Sequence, residues 1–428
     1  MPSLRFKLSK IFAALVLLFI ARGANAAASE DLLSFNQCVD LVKKNNADIR
    51  SSEDSLQGNR FQVDGSRSNF YPQLTGVLGY LQSGPSDISG GTAGSNYSAT
   101  LNVTQNLFNG FADIARVDLA KAQVRVAEAG LQITKAKASY DLKNAFANLL
   151  YAKEAERVTQ DFQKRREDNL RMVELRFESG RENKGSLLLS QAYLKQSRSD
   201  VMKAHHNRET SESDLQRVVG LDSHSNLDIR EDLPLRDPSE AEPDYKALAL
   251  IAPYRLQSVA QVESSDASLT SAKSGFYPTL GLTGSVGKLS DQFFPENDRW
   301  SVGANLSWSL FGGGKDYYST KSATSNLYAA KSNLTSIERQ LLTNLKQAYT
   351  SYVEAVEDLK VNEAFLVAAK SRAEIARAKY NNGLLTFDDW DIIENDLITK
   401  TKNYIISKRD RVVAEAAWEQ AQGIGVIP

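Results

Sequence analysis

The chain has 428 residues, 42% hydrophobic and 24% charged, with a formal net charge of −1. That length allows a large core or several domains, and the near-neutral balance lacks the basic footprint of a nucleic-acid binder. The one cysteine, Cys38, excludes an internal disulfide framework.

Residues 1–26 read as a cleaved signal peptide. Arg5, Lys7 and Lys10 precede the apolar run Ile11 to Ile20, and Ala24-Asn25-Ala26 supplies a small-residue cleavage site. The apolar run is too short to cross a bilayer as a helix, and no other run is long enough. Cys38 lies well past the cleavage site and suits a packed helix face.

Beyond the signal peptide the chain is written twice. SNFYPQL from Ser68 returns as SGFYPTL from Ser274, an offset of 206 residues. NLFNG, RFESG and RVVG, ending at Gly110, Gly180 and Gly220, return as SLFGG, KYNNG and AQG, each offset by 203. The first repeat covers 27–220 and the second 244–428, joined by an acidic, proline-bearing connector over 221–243.

In the first repeat a helix leads to strands expected over about 73–82 and 96–108. Tyr97, Ala99, Leu101 and Val103 alternate there with Ser98, Thr100, Asn102 and Thr104. Next come a long helix over about 110–178, a tip over about 179–186 and a return helix. No proline occurs between Pro85 and Pro234, so nothing breaks that helix. It would reach roughly 100 Å at 1.5 Å per residue. It carries two strips at seven-residue spacing, Val117, Val124, Leu131, Ala138, Ala145, Ala152 and Leu119, Val126, Ile133, Tyr140, Ala147. Their offset of two residues is about 200° of helix, so each side has an apolar seam, as in a ring of helices or inside an ordinary bundle.

The second repeat has strands over about 278–288 and 299–310, a long helix over about 313–381, a tip over about 382–388 and a return helix. Trp300, Val302, Ala304, Leu306, Trp308 and Leu310 alternate with Ser301, Gly303, Asn305, Ser307 and Ser309. Strands of about ten residues with period-two alternation and terminal aromatics suit a transmembrane β-barrel. A soluble sandwich alternates in the same way. Four strands cannot close a membrane barrel, which starts at about eight. Open edges are not tolerated in lipid, so several chains would have to share one barrel.

Other clusters carry less. His205 and His206 are adjacent and diverge on a helix. GGGKD at Gly312 has Ser309 and Asp316 where a phosphate loop needs a glycine and a hydroxyl. KRRED, Lys164 to Asp168, reads as a solvated helix face. No nucleophile, cofactor site or metal site is expected, and the acids Asp388, Asp389 and Asp391 lack a partner base for an enzyme.

SNFYPQLTGVLGY, NLFNG and RFESG, repeated as SGFYPTLGLTGSVG, SLFGGGKD and KYNNGLLTFDDWDII, resemble the TolC family of outer-membrane efflux proteins over essentially the whole mature chain. The resemblance implies an α+β membrane protein with a two-fold internal repeat. It would be a homotrimer in the outer membrane of a Gram-negative bacterium, whose shared twelve-stranded barrel continues as a long α-helical barrel in the periplasm. The implied function is an exit duct of a tripartite efflux pump or type I secretion system. Its implied partners are outer-membrane lipid, a periplasmic adaptor (membrane fusion protein) and an inner-membrane RND, ABC or MFS-type transporter. The competing reading is a trimeric coiled-coil surface protein of adhesin type.

The family's tip pattern, a glycine with an acid six residues on, is met by Gly383 and Asp389. Tyr380 stands at the aromatic that holds the gate shut, and Asp388 or Asp391 would assist Asp389 at the constriction. The resemblance places Gly180, Arg181, Gly383, Leu384 and Leu385 at the adaptor-facing tips. A second acid and a basic lock residue of the family are Ile392 and Leu385 here, and the acid position of the first tip is Ser186.

Overall fold

A computed structural model describes residues 32–84, 94–221, 228–231, 233–239 and 241–428. The signal-peptide segment lies outside the described residues. In chain order the elements are α1 (Phe35–Asn45), α2 (Ala47–Ser66), β1 (Gln73–Ser83), β2 (Gly94–Asn109), α3 (Ala112–Glu178) and α4 (Lys184–Val219). Then come α5 (Tyr245–Ile251), α6 (Pro253–Lys273), β3 (Thr279–Ser290), β4 (Asn297–Ser307), α7 (Lys315–Asn381) and α8 (Phe387–Gln422). The long helices α3 and α7 have 67 residues each, and their return helices α4 and α8 have 36 each. Among the described residues no helix is long and apolar enough to cross a membrane.

The chain divides into two compact units. One consists of 47–140, 238–354 and 414–428 and contains the sheet. Its four strands are antiparallel in the order β1-β2-β3-β4, so the central pair joins the two halves of the sequence. Leu78 pairs with Ala99, Gly76 with Leu101, Leu101 with Val286, Val286 with Trp300 and Gly284 with Val302. Because side chains alternate across a strand, this register puts Leu74, Leu78, Leu101, Val103, Val286, Trp300, Val302 and Leu306 on one face. The other face gathers Thr75, Ser98, Thr100, Asn102, Ser285, Ser301 and Asn305, and the Ser285 and Ser301 hydroxyls lie 2.8 Å apart across it. The apolar face is uncovered, with Leu78 87% and Trp300 79% exposed.

Strand ends are set by ladder partners. β2 is central and continues to Asn109, which pairs with Thr279. β4 is an edge whose last partner on β3 is Thr279, opposite Ser307, so Trp308 to Leu310, expected as strand, leave the ladder. The entry to α3 is built from side chains. Buried Asp113 accepts hydrogen bonds from Asn69 (2.7 Å) and Asn106 (2.6 Å), and its backbone N–H donates to Asn109 Oδ1 (3.2 Å). Gly110 turns the chain there at φ +67°, with Ser274 O only 2.5 Å from where a Cβ would lie. Elsewhere in this unit Ala249, Ala252, Leu341 and Leu345 form a core with Tyr245 and Trp418 around them.

The other unit consists of the described residues up to Asn46 together with 141–237 and 355–413. Ser34 caps α1 through a reciprocal capping box with Gln37, and the last turn carries Lys43 and Lys44. Phe35 meets Phe146 edge to face at 5.3 Å. Cys38 is fully buried, as a thiol on an apolar helix face should be. Along α3, Ala145 and Ala152 of the first strip and Ala147 of the second are buried in this unit, while in the sheet-bearing unit Val117 and Ala138 are buried and Val124, Leu131, Leu119, Val126, Ile133 and Tyr140 are half-buried. In the sheet-bearing unit, Ser322, Ala329, Ser336, Thr343 and Thr350 of α7, spaced by seven residues, form an exposed strip of small side chains.

Candidate functional site: the two hairpin tips

Both tips lie in the second unit described, between α3 and α4 and between α7 and α8. Each long helix ends on a left-handed glycine, Gly180 at φ +71° and Gly383 at φ +75°. The Arg181 N–H donates to Arg176 O (2.8 Å) and the Leu384 N–H to Lys379 O (2.9 Å), which satisfies carbonyls left over at a helix end. The return helices are capped by side chains. Asn183 accepts from the Ser186 N–H (3.0 Å), and Thr386 Oγ1 accepts from the Asp389 N–H (3.2 Å) while donating to Asp389 Oδ2 (2.7 Å).

Tyr380 is completely buried. Its ring stacks on Trp390 at 4.4 Å and 4°, and the Arg176 guanidinium lies 4.5 Å from its centroid. Val173, Ala376 and Phe387 complete the cluster, with Leu385 packed against it. The Tyr380 hydroxyl donates to Glu182 Oε2 (2.8 Å), and Arg176 Nη1 donates to the Tyr380 carbonyl (2.7 Å). Three contacts, from ring, hydroxyl and carbonyl, therefore tie one residue of the second hairpin to the first. Burial raises the Tyr380 pKa well above the ordinary tyrosine value, and the bond to Glu182 adds to this against the opposing charge of Arg176. The hydroxyl stays a donor at neutral pH.

The three acids go separate ways. Asp388 and Asp389 are exposed. Asp391 is half-buried and engaged within its own chain: it accepts from the Tyr193 hydroxyl (3.0 Å) and the Asn395 amide (2.9 Å) and lies 3.6 Å from Arg166 Nη1. Burial first, then the bond to Asp391, raises the Tyr193 pKa. Gly180, Arg181, Gly383 and Leu384 are exposed at the tips. Ile392, where the family resemblance implies an acid, is 64% exposed, and Ser186 is buried.

KRRED does not behave as a uniformly solvated face. Lys164, Glu167 and Asp168 are exposed, but Arg165 and Arg166 turn inward to α8. Arg165 grips Glu394 with two hydrogen bonds, Nε to Oε2 at 2.6 Å and Nη2 to Oε1 at 2.7 Å. Glu394 is 1% exposed, so a fully buried carboxylate is neutralised across the hairpins. The bond to Glu394 raises the Arg165 pKa further, against burial, which lowers it. Sequence spacing also did not reveal Arg176 and Trp390, although an aromatic within an acid run at a helix start was a visible signal. His205 Nδ1 sits 2.8 Å from Glu156, and among the described residues no three metal-ligating side chains converge. The arrangement can hold two hairpins together and present acids to solvent.

The sequence pattern of the family described as "Outer membrane efflux protein" matches residues 38–221 and 255–423. The alkaline protease secretion protein AprF of Pseudomonas aeruginosa is 22% identical over 301 residues, 68% of this chain and 62% of AprF. This chain therefore spans less than two thirds of AprF's length. The outer membrane protein TolC of Vibrio cholerae is 24% identical over 380 residues, covering 84% of each chain. The CmeC outer membrane channel of Campylobacter jejuni has the same fold, with a TM-score of 0.83 at 17% identity over 91% of this chain and 85% of that one. The family pattern covers both halves of the chain, and it assigns the protein to the outer membrane efflux protein family, whose place is the Gram-negative outer membrane with an extension into the periplasm.

Proposed function

We propose that this efflux or secretion channel is a passive exit duct, built as a homotrimer, which receives its cargo from a periplasmic adaptor and an inner-membrane RND, ABC or MFS-type transporter. The observation that carries the reading is the sheet. Among the described residues it has one uncovered apolar face, one polar face and two unpaired edges. Exposed strand edges cost several kcal/mol per unsatisfied group in hydrocarbon, so β1 of one copy pairs with β4 of the next. Three copies give a closed barrel of twelve strands, with Leu78, Trp300 and Val302 toward lipid and Asn102, Ser285 and Ser301 toward water.

The tips form the periplasmic mouth. Asp389 is exposed beside the glycine turn, and symmetry brings three such carboxylates around one axis, where like charges attract cations. Asp388, the neighbouring exposed acid, assists. Asp391 contributes by positioning, because its charge is already met by Arg166. Tyr380 holds the mouth shut through Glu182 and Arg176, and the exposed Gly180, Arg181, Gly383 and Leu384 face the adaptor, with Leu385 anchoring the second tip to the Tyr380 cluster.

Asp389→Asn tests the mouth. Asparagine can still accept the Thr386 hydroxyl proton, so assembly is retained. The expected result in planar bilayers is a small cation-selective conductance for the wild type and about a threefold or greater loss of cation preference in the variant, as removal of a close ring charge implies. Unchanged selectivity would move the ring to Asp388, and a wild-type protein that forms no pores would end the duct reading.

A further inference from the structure

We propose that Arg165 and Glu394, flanked by Arg166, Asp391 and Tyr193, form a second latch between the two hairpins, separate from the Tyr380 contacts, whose release is a required step in opening the mouth. The inference rests on the duct reading above and adds a positioning pair to it.

Position is the first ground. Arg165 lies three turns back from Arg176 along α3, roughly 16 Å at 1.5 Å per residue. The pair is thus remote from the Tyr380 hydroxyl, and breaking one contact leaves the other in place. Chemistry is the second ground. The guanidinium meets the carboxylate with two parallel hydrogen bonds, the strongest and most directional pairing available to an ion pair. Asn169 Nδ2 adds a third bond to Glu394 at 3.3 Å. Glu394 is nearly inaccessible in the single chain, so separation of the hairpins would expose it to water or strand it unpaired. A buried pair that loses one partner is strongly destabilised.

Cooperation is the third ground. The next residue, Arg166, donates to Asn395 Oδ1 (2.5 Å), lies 4.4 Å over the Tyr193 ring and faces Asp391. Two consecutive arginines of the first hairpin are therefore matched by Asp391, Glu394 and Asn395 of the second. These three acceptors fall at i, i+3 and i+4, one face of α8. Such a pairing holds one register between the helices and resists sliding as well as separation. Plain packing would not need two arginines and two carboxylates in a largely buried seam, where apolar residues of similar volume are often at least as stabilising. A polar seam gives the two-state behaviour that a gate requires: tight when matched and soluble when parted.

The test compares purified full-length wild type, Glu394→Gln, Tyr380→Phe and the double variant in planar bilayers. The expected outcome is about a tenfold rise in time-averaged conductance for each single change, about one latch hydrogen bond to a charged group, and a product of the two in the double variant. A second arm removes any folding ambiguity. Arg165→Cys/Glu394→Cys in the Tyr380→Phe background, joined by a short bis-maleimide, should shut the pore again. Wild-type conductance in Glu394→Gln with an open Tyr380→Phe would overturn the latch and leave the duct intact, as would a cross-link without effect. Absence of pores in wild type and Tyr380→Phe alike would remove the duct reading and the latch with it.

Discussion

Tyr380 shows how much one residue can do when its ring, hydroxyl and backbone carbonyl are all used. Its ring is the floor of a small apolar cluster, its carbonyl takes Arg176 and its hydroxyl reaches Glu182. Tyr380→Phe removes only the hydroxyl bond to the Glu182 carboxylate, worth about 1.5 kcal/mol for a bond to a charged group, and keeps the stack on Trp390. The raised pKa sets the pH behaviour. A group whose folded pKa exceeds the unfolded value contributes stability that is complete below the unfolded pKa, about 10 for tyrosine, and is lost only as pH rises through the folded value. Conductance should therefore show no opening attributable to Tyr380 between pH 7 and about 10, and absorbance at alkaline pH should show one fewer late-ionising tyrosine in Tyr380→Phe than in wild type, where Tyr193 and Tyr245 are also raised. An opening step near pH 9 in wild type that disappears in the variant would contradict this. The family resemblance, not the residues alone, singled out Tyr380 and Asp389, through their distances from the tip glycine Gly383. It was silent on Arg165 and Glu394, which are 229 residues apart in the chain and meet only through the packing of two hairpins.

Among the elements, glycine placement explains why the same short words recur in the sequence. Gly180, Gly220, Gly383 and Gly423 each end a helix in the left-handed region, and the following N–H closes back on the last turn, as Leu221 does to Gln216 O (2.9 Å) and Ile424 to Glu419 O (3.1 Å). Glycines at turns differ in what surrounds them. A Cβ at Gly180 or Gly383 would meet nothing within 4 Å, whereas at Gly110 it would meet Ser274 O at 2.5 Å and the Tyr277 Cβ at 2.8 Å. Gly383→Ala should cost only the left-handed strain, about 1–2 kcal/mol, and still assemble. Gly110→Ala adds a clash with backbone at the junction of strand and helix and should sharply reduce the assembled protein recovered from outer membranes, read on semi-native gels. Equal recovery of the two variants would show that the junction adapts. Alternation and long proline-free stretches made strands and helices legible, since period and breaker residues are local properties. The early end of β4 was not legible, because it depends on where β3 stops offering partners.

For the molecule as a whole, the decisive quantity is unpaired strand edge. Among the described residues of one chain β2 and β3 have neighbours on both sides, while β1 and β4 have one each. Every main-chain group on the outer sides of β1 and β4 must find a partner before the apolar face can enter lipid. Water cannot provide it there, and a four-stranded sheet cannot close on itself. The requirement is met when β1 of one copy lies antiparallel to β4 of the next. Cysteines can read that pairing on a Cys38→Ser background. Leu78→Cys on β1 is combined in turn with a cysteine at Trp300, Ser301, Val302, Gly303, Ala304, Asn305 or Leu306 on β4. Side chains on one face of adjacent strands lie about 4.5–5.5 Å apart, so oxidation should link Leu78→Cys with positions of its own face, Trp300, Val302, Ala304 or Leu306, and spare Ser301, Gly303 and Asn305. Because each chain carries both cysteines, a closed ring of three should collect in a covalent band at three times the chain mass, with no larger species. A ladder continuing to higher multiples would mean an open chain of subunits. Cross-linking without alternation would mean that the edges do not pair as strands, and the shared barrel would have to be given up.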